Sequence, residues 1–423
     1  MKNNVTNLRS ISSTPRKIAI VGGCGHVGLP LGITFALHGC DVTLIDVDQA
    51  TVDSVNAGHF PFMENGGNEA LKKVIGKNLI AVVGPESIRE SSDVIFVMGT
   101  PVDEHLNPIV HDVLKIVDEY LPYLSDGQLI ILRSTLFPGL TEVVANHIRT
   151  RGKNVGIAFC PERVAQGFAI EEIQHLPQIV SAIDETSENR AADLFRIVTK
   201  EIIRTTPLEA ELVKLFANSW RYIEFAIANQ HYMIAEAAGV SFQRVHFALT
   251  HHYPRAQSFA APGLTAGPCL FKDTMQLSAY CNHNYSLGNA AMLINEGLPN
   301  FLVQQLETKL DGLQNKKIGL LGMSFKPNHD DTRESLSYKL KKVLEIKMAN
   351  VMCTDVYQES AADLSTILNS ADAFILGTPH KEYASLDLGG KPFVDCWGMW
   401  SRAKLEGEAL IVEEIVAKVR RAA

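Results

Sequence analysis

The chain of 423 residues has room for two to four domains of about 100–200 residues, each large enough to bury a core. With 46% hydrophobic and 20% charged residues it has the composition of a globular protein and excludes a largely disordered one. A net charge of -8 argues against nucleic acid or an anionic membrane surface as the main partner, though local basic groups could still hold an anionic substrate.

The opening "MKNNVTNLRSISSTPRK" is polar and has no apolar signal region, so residues 1–15 are expected to form a flexible tail. No apolar run is long enough to cross a bilayer, so no membrane association is expected. The seven cysteines are scattered and none forms a C-x-x-C pair, which points to a reducing cytoplasm rather than a disulfide framework.

From Lys17 to about Thr205, short apolar runs alternate with amphipathic stretches. "KIAIVG", "DVTLIDV", "LIAVVG", "DVIFVMGTP", "QLIILRST", "VGIAFCPE" and "QIVSAI" read as strands. Several are apolar throughout, as parallel strands covered on both faces must be. The pattern predicts a doubly wound α/β domain over 16–205. Its first turn carries G-x-G-x-x-G at Gly23, Gly25 and Gly28, after a strand and before a helix. In that setting the first glycine makes the tight turn, the second lets backbone approach a pyrophosphate, and the third packs helix on strand. The helix N-terminus then offers N–H groups to phosphate. Eighteen residues after Gly28, Asp46 ends the next strand. Its carboxylate can accept ribose hydroxyls and would repel a 2′-phosphate, so the expected cofactor is NAD rather than NADP.

The segment that follows is helical. Thr206 is a good N-cap, Pro207 suits the first helical position, and Glu209 completes a capping box. No glycine or further proline appears before Gly239, so an unbroken helix would run about 45–50 Å. A break after Gln230 is the alternative. Lys214 and Asn218 lie four apart and share a face, with Glu211 and Arg221 extending a polar stripe and Leu212, Leu215, Phe216, Ile223 and Ile227 supplying apolar surface. An oriented lysine can stabilise a developing oxyanion and an asparagine can hold water. The pair alone reads more readily as a solvated helix surface.

"AAPGLTAGPCLFKD" places Cys269 in a loop or at a helix start. Lys272 and free helix N–H groups would favour a thiolate nucleophile there. A buried, inert cysteine is the alternative. A metal site with His251, His252, Cys281 and His283 fits no familiar zinc spacing, so none is expected. From Lys316 the alternation resumes with "KKIGLLGMSFK", "NVMCTDVY", "DAFILGTPH" and "KPFVDCW". The expected plan is therefore α/β: two Rossmann-like doubly wound domains, 16–205 and 301–423, joined by a central helical domain, 206–300, with one long helix. A nicotinamide domain, a Lys/Asn pair and a loop cysteine together suggest oxidation past the aldehyde, through a thiohemiacetal and a thioester.

The motifs "GGCGHVGLPLG", "GTPVDEHLNP", "STLFPG", "CPERVAQG", "AELVKLFANSW", "GPCLFKD" and "GMSFKPNHDDTRES" occur in one order along the chain. In this the sequence resembles the UDP-sugar 6-dehydrogenases, the UDP-glucose/GDP-mannose dehydrogenase family, over essentially everything after the tail. The resemblance implies Cys269 as nucleophile, with Lys214 and Asp273 positioning oxyanion and water. Thr135 and Asn218 would hold water or substrate hydroxyls, and Glu162 would assist acid–base steps. His26, Val27, Thr100, Pro101 and Thr135 would join the three glycines and Asp46 around NAD. Arg163 would line the sugar site. Lys326 and Arg333 would meet the diphosphate of a UDP-sugar, and Arg255 sits where the family often sends an arginine into a partner subunit. A homodimer or higher homo-oligomer through the central helix is implied, as is supply of precursors for polysaccharide biosynthesis. Two positions depart from the pattern: Gln166 replaces a second glutamate, and Pro268 precedes the cysteine. "CPERVAQG" resembles the N-acetylhexosamine branch and "FKD" the UDP-glucose branch. The implied substrate is UDP-N-acetyl-D-mannosamine, with UDP-glucose and UDP-N-acetylglucosamine as alternatives. A two-electron alcohol dehydrogenase would lack the cysteine and usually the second α/β domain. A non-catalytic nucleotide-sugar-binding protein would be expected to have lost Cys269, Lys214 or Asp273.

Overall fold

The computed structural model describes residues 15–100, 102–103, 109–265, 267–358 and 361–400. The chain separates into two compact units, Met1–Lys214 and Leu215–Ala423.

The first unit is built on eight strands: β1 (Lys17–Val21), β2 (Asp41–Ile45), β3 (Leu79–Val82), β4 (Asp93–Phe96), β5 (Leu129–Leu132), β6 (Gly156–Phe159), β7 (Gln178–Ala182) and β8 (Ile202–Arg204). They lie in the order β3-β2-β1-β4-β5-β6-β7-β8. The first six strands have the doubly wound order, with the reversal between β1 and β4. Alternation explains why these strands are apolar throughout. Ile18, Ile20, Leu44, Ile95 and Ile131 enter one core. Ala19, Val21, Ile45, Val94, Phe96, Ile130 and Leu132 enter another on the opposite face. Two features differ from the sequence reading. The strand β7 runs antiparallel to β6, with Ala158 opposite Ala182. The short β8, parallel to β7, extends the edge.

The long helix spans Pro207–Ala237, 31 residues without a break, or about 46 Å. Its capping box is formed: Thr206 Oγ1 donates to Glu209 Oε2 at 2.8 Å, and the Thr206 N–H donates to the same oxygen at 2.9 Å. Such a cap stabilises a helix start by about 1 kcal/mol. The expected polar stripe is not uniform. Glu211 is fully buried and Lys214 and Asn218 nearly so, whereas Arg221 is exposed. Leu215 is buried, but Phe216 and Ile227 face outward.

The second unit carries a four-stranded sheet of β9 (Lys317–Leu321), β10 (Asn350–Thr354), β11 (Ala373–Leu376) and β12 (Phe393–Val394), in the order β10-β9-β11-β12. All its pairings are parallel. Ile318, Leu320 and Ile375 pack with Leu302, Leu306 and Leu340 of the helices Ser286–Leu310 and Leu336–Ile346. Leu321, Phe374 and Leu376 pack on the other side with Ile367 and Tyr383.

Candidate active site

In the first unit the side chains of interest follow the C-terminal ends of the strands, where doubly wound sheets bind ligands. The turn after β1 is tight because the Gly22 and Gly23 N–H groups both donate to the Ile45 carbonyl, at 2.9 Å each. The residue with positive φ is Gly22, at 72°, one place before the glycine the motif suggested. A Cβ on Gly28 would lie 2.5 Å from the Gly22 carbonyl oxygen, so this glycine packs the helix on the turn itself. At Gly25 the nearest obstacle to a Cβ is 3.6 Å away, leaving the backbone open to an incoming pyrophosphate. Asp46 Oδ2 accepts the Cys24 N–H at 3.0 Å, which ties this carboxylate to the glycine turn. Burial, and then the charges of Asp46 and Asp48, push the Cys24 thiol up to about 12, so it stays neutral. An open glycine turn at a helix N-terminus, with a carboxylate fixed beside it, fits an NAD.

Val27 caps the helix Gly28–Leu37. The His26 ring lies 3.8 Å from that of Phe62. Gln166 Nε2 comes within 2.8 Å of His26 Nδ1, linking the glycine turn to the loop after β6. Thr100 and Thr135 are half-exposed after β4 and β5, and those two strand ends are joined by the Met98 N–H donating to Ser134 Oγ at 2.8 Å. Pro101 lies outside the described residues.

Lys214 Nζ sits 3.8 Å from Glu162 Oε2, with only 10% and 14% of the two side chains exposed. At that burial solvent screens the pairing little. The other Glu162 oxygen accepts the Val164 N–H. Arg163 donates to the Pro177 carbonyl and lines a cleft with Arg133, Leu176 and Gln178, so its contact is with the start of β7. Arg133 escaped the sequence reading, and Glu211 was read there only as part of a surface polar stripe. Arg133 is buried and donates to the Cys160 carbonyl at 3.2 Å and to Gln178 Oε1 at 3.0 Å. It thereby holds the strand end that leads to Glu162. Glu211 accepts three hydrogen bonds: from the Gly139 N–H at 2.5 Å, the Thr141 N–H at 2.9 Å and the Thr141 hydroxyl at 2.6 Å. It caps the helix Leu140–Thr150 and fixes the long helix, one turn before Lys214, to the loop that carries Thr135. A buried charge at i, i+3 from a lysine was a signal, but burial itself is not visible in sequence.

In the second unit Cys269 is exposed and occupies the N-cap of the helix Leu270–Tyr280. Asp273, fully buried one turn on, accepts from Asn218 Nδ2 at 2.5 Å and from Lys272 Nζ at 2.6 Å. Lys272, expected to act on the thiol, is thus drawn to the aspartate. Another cation lies within electrostatic range of the thiol. Arg333 forms a two-pronged pair with Asp331, Nε to Oδ1 at 2.9 Å and Nη2 to Oδ2 at 2.6 Å. That hydrogen bonding raises its pKa, burial opposes it, and the charges of Asp331 and Cys269 add to the rise. The two charges therefore interact, each acting on the other. The loop is shaped by Gly267, whose φ is 103° and whose Cβ would meet the Phe325 ring at 2.7 Å. Its N–H donates to the Glu334 carbonyl at 3.3 Å. The motifs around Cys269 and Lys326–Arg333, remote in sequence, are therefore packed together. Lys326 is half-buried. Arg255 is exposed and donates to the Tyr253 hydroxyl at 2.9 Å.

Three family profiles tile the chain: the NAD binding domain over residues 16–199, the central domain over 208–297 and the UDP binding domain over 319–402. The chain belongs to the UDP-glucose/GDP-mannose dehydrogenase family. It is accordingly an NAD-dependent UDP-sugar dehydrogenase, with two Rossmann-like α/β sheets and a helical central region. This family member is 29% identical over 391 residues to the UDP-N-acetyl-D-mannosamine dehydrogenase of Pyrococcus horikoshii, covering 88% of this chain and 91% of that protein. It superposes on the structure of a UDP-glucose dehydrogenase from the hyperthermophilic archaeon Pyrobaculum islandicum with a TM-score of 0.85 at 26% identity, covering 94% of this chain and 98% of the other. The structure of the UDP-D-ManNAc dehydrogenase from Pyrococcus horikoshii also gives 0.85, at 27% identity over 90% of this chain and 96% of the other. Among the described residues no helix is long and apolar enough to cross a membrane, and none of the cysteines forms a disulfide.

Proposed function

We propose that this dehydrogenase oxidises the C6 hydroxyl of a UDP-hexosamine to the carboxylate in two successive two-electron steps, working in a reducing cytoplasm. The observation that carries the reading is the exposed Cys269 at a helix start, with Arg333 in electrostatic reach and the buried Asn218–Asp273–Lys272 cluster one turn on. Residues 16–205 bind the cofactor, 206–300 carry the cysteine loop, and 301–423 hold the UDP. NAD, held by the Gly23–Gly28 turn and Asp46, would supply the hydride acceptor for each oxidation.

Lys214 stabilises the oxyanion as the alcohol proton passes to water, with Glu162 holding the ammonium in place. Cys269 Sγ attacks the aldehyde carbon, forming a C–S bond while the oxygen takes up a proton. Loss of the second electron pair and of that proton leaves a thioester. Water attacks it, the C–S bond breaks, and the thiolate returns as the carboxylate leaves. Asp273 and Asn218 orient that water, Thr135 holds a substrate hydroxyl, and Glu162 takes the water's proton. Per sugar, two NAD and one water are consumed and two NADH are formed. Lys326 and Arg333 meet the diphosphate. UDP-N-acetyl-D-mannosamine is the favoured substrate, because similarity to the Pyrococcus horikoshii enzyme named for it extends over most of both chains. The product would feed glycan assembly.

The test is stoichiometric. Purified protein given UDP-N-acetylmannosamine, UDP-N-acetylglucosamine or UDP-glucose should form two NADH per sugar, fastest with the first. One NADH with release of aldehyde would sink the thioester route. A Cys269→Ser variant that still turned over to acid at the normal rate would remove the nucleophile assignment. The long helix also exposes Val213, Phe216, Trp220, Ile227 and Ile234. Four of these recur every seven residues and form an apolar seam suited to a homodimer. Trp220→Glu should shift sedimentation to the monomer, and a wild-type chain that already sediments as a monomer would refute the dimer.

A further inference from the structure

The loop from Lys326 to Arg333 is held from beneath by His380, which no motif singled out. This imidazole is fully buried after β11, between the edges of Tyr357 and Tyr383, at ring-centre distances of 4.9 and 5.5 Å. Its Nδ1 accepts the backbone N–H of Asn328 at 2.9 Å. An acceptor at Nδ1 places the proton on Nε2, and Nε2 lies 3.1 Å from Asp355 Oδ2, to which it donates. Both ring nitrogens are thus committed, in a single tautomer. Asn328 is the bend of the loop, with φ at 54°, in the left-handed region that costs most residues energy. A second tie supports it: the Lys381 N–H donates to Asn328 Oδ1 at 2.9 Å. Asp355 in turn accepts the N–H groups of Met323 and Ser324, at 2.6 and 2.9 Å, at the start of the same loop. The ends of β9, β10 and β11 therefore meet at His380.

We propose that His380 is a positioning residue for the UDP moiety: through Asn328 it fixes the bend that sets Lys326 and Arg333 toward the diphosphate. The role rests on the reading that those two cations bind UDP. An apolar ring could fill the same space, but it could not accept from Asn328. Three variants of the full chain separate the two functions of the imidazole. In His380→Asn the amide oxygen can take the place of Nδ1 and keep the bond to Asn328. In His380→Gln the amide reaches the place of Nε2, serves Asp355 and leaves Asn328 unpaired. His380→Phe serves neither.

UDP affinity is measured by titration calorimetry, and KM for UDP-sugar and for NAD by steady-state kinetics. His380→Gln and His380→Phe should weaken UDP binding by about ten-fold, the scale of one lost hydrogen bond, while His380→Asn recovers most of the loss. KM for NAD should stay within about two-fold throughout, because only the loop's geometry changes. Equal losses in the Asn and Gln variants would overturn the proposal, as would KM for NAD rising in step with that for UDP-sugar. Wild-type affinity in all three variants would sink the role of His380 alone. A Lys326→Ala variant that binds UDP normally would sink the underlying reading and His380 with it.

Discussion

Glu211→Ala should damage both the first unit and the placement of Lys214. The carboxylate is fully buried and accepts from Gly139 N–H, Thr141 N–H and Thr141 Oγ1. Truncation strands three donors, each costing about 1–3 kcal/mol. Relief from burying a charge offsets part of this, leaving a net loss of about 3 kcal/mol. In a folding unit of this size that lowers its Tm by about 6–12 °C, read by differential scanning calorimetry. Lys214 follows one turn later on the same helix, so kcat should fall by about ten-fold even where the protein is folded, as expected for sub-ångström misplacement. Burial is the largest influence on Glu211 and raises its pKa; the bonds from Thr141 and Gly139 oppose it, and Glu142 adds to the rise. A raised folded-state pKa means that the proton is held more tightly in the folded chain. The resulting stability is complete below the unfolded pKa and is lost as pH rises through the folded one. The stability difference between wild type and Glu211→Gln should therefore shrink from acid toward neutral pH. A Glu211→Ala protein that melts within about 2 °C of wild type with unchanged kcat would refute the linkage.

Asp46→Asn removes the charge that opposes a 2′-phosphate, so the NAD-to-NADP ratio of kcat/KM should fall by at least about ten-fold, and an unchanged ratio would dismiss the ribose role. Asp273→Asn leaves the Lys272 ammonium facing an amide; kcat should drop by about a hundred-fold or more with a folded protein by circular dichroism, and wild-type kcat would take Asp273 out of the chemistry. At Asp355 burial would raise the carboxyl pKa, but the hydrogen bond donated by His380 and the N–H groups of Tyr357 and Met323 bring it down to about 2. That depressed value contributes about 2 kcal/mol of stability above the ordinary carboxylate pKa, lost as pH falls from about 4 to 2. Asp355→Asn should lack this acid-sensitive step in a pH-stability curve, and its persistence would assign the step to another group.

How much of this was legible beforehand differs by element. Seven strands of the first unit and four of the second announced themselves as apolar runs, because a strand covered on both faces needs apolar residues at every position. The long helix was readable from Thr206, Pro207 and Glu209, whose capping chemistry is local. The antiparallel direction of β7 was not, since "QIVSAI" has the same alternation whichever way it runs. The strand β8 was too short and too exposed to signal itself. Gly22 rather than Gly23 takes the left-handed turn, a choice made by the Ile45 carbonyl from the neighbouring strand.

By itself, the sequence determined the residue chemistry in covalently local frames: the glycine turn with Asp46 at the next strand end, Lys214 and Asn218 one helical turn apart, and Cys269 four residues before Asp273. Those relations depend on helix pitch and strand alternation, which neighbouring residues dictate. Only the tertiary structure decided which charges are buried and what faces them. Glu211 became a helix cap, Lys272 turned to Asp273, Arg333 came into reach of Cys269, and His380 took the Asn328 amide. Glu211, Arg333, His380 and the Asn218 partner of Asp273 all depend on groups dozens of residues away in the chain, and burial is a property of the packed molecule that no local pattern carries.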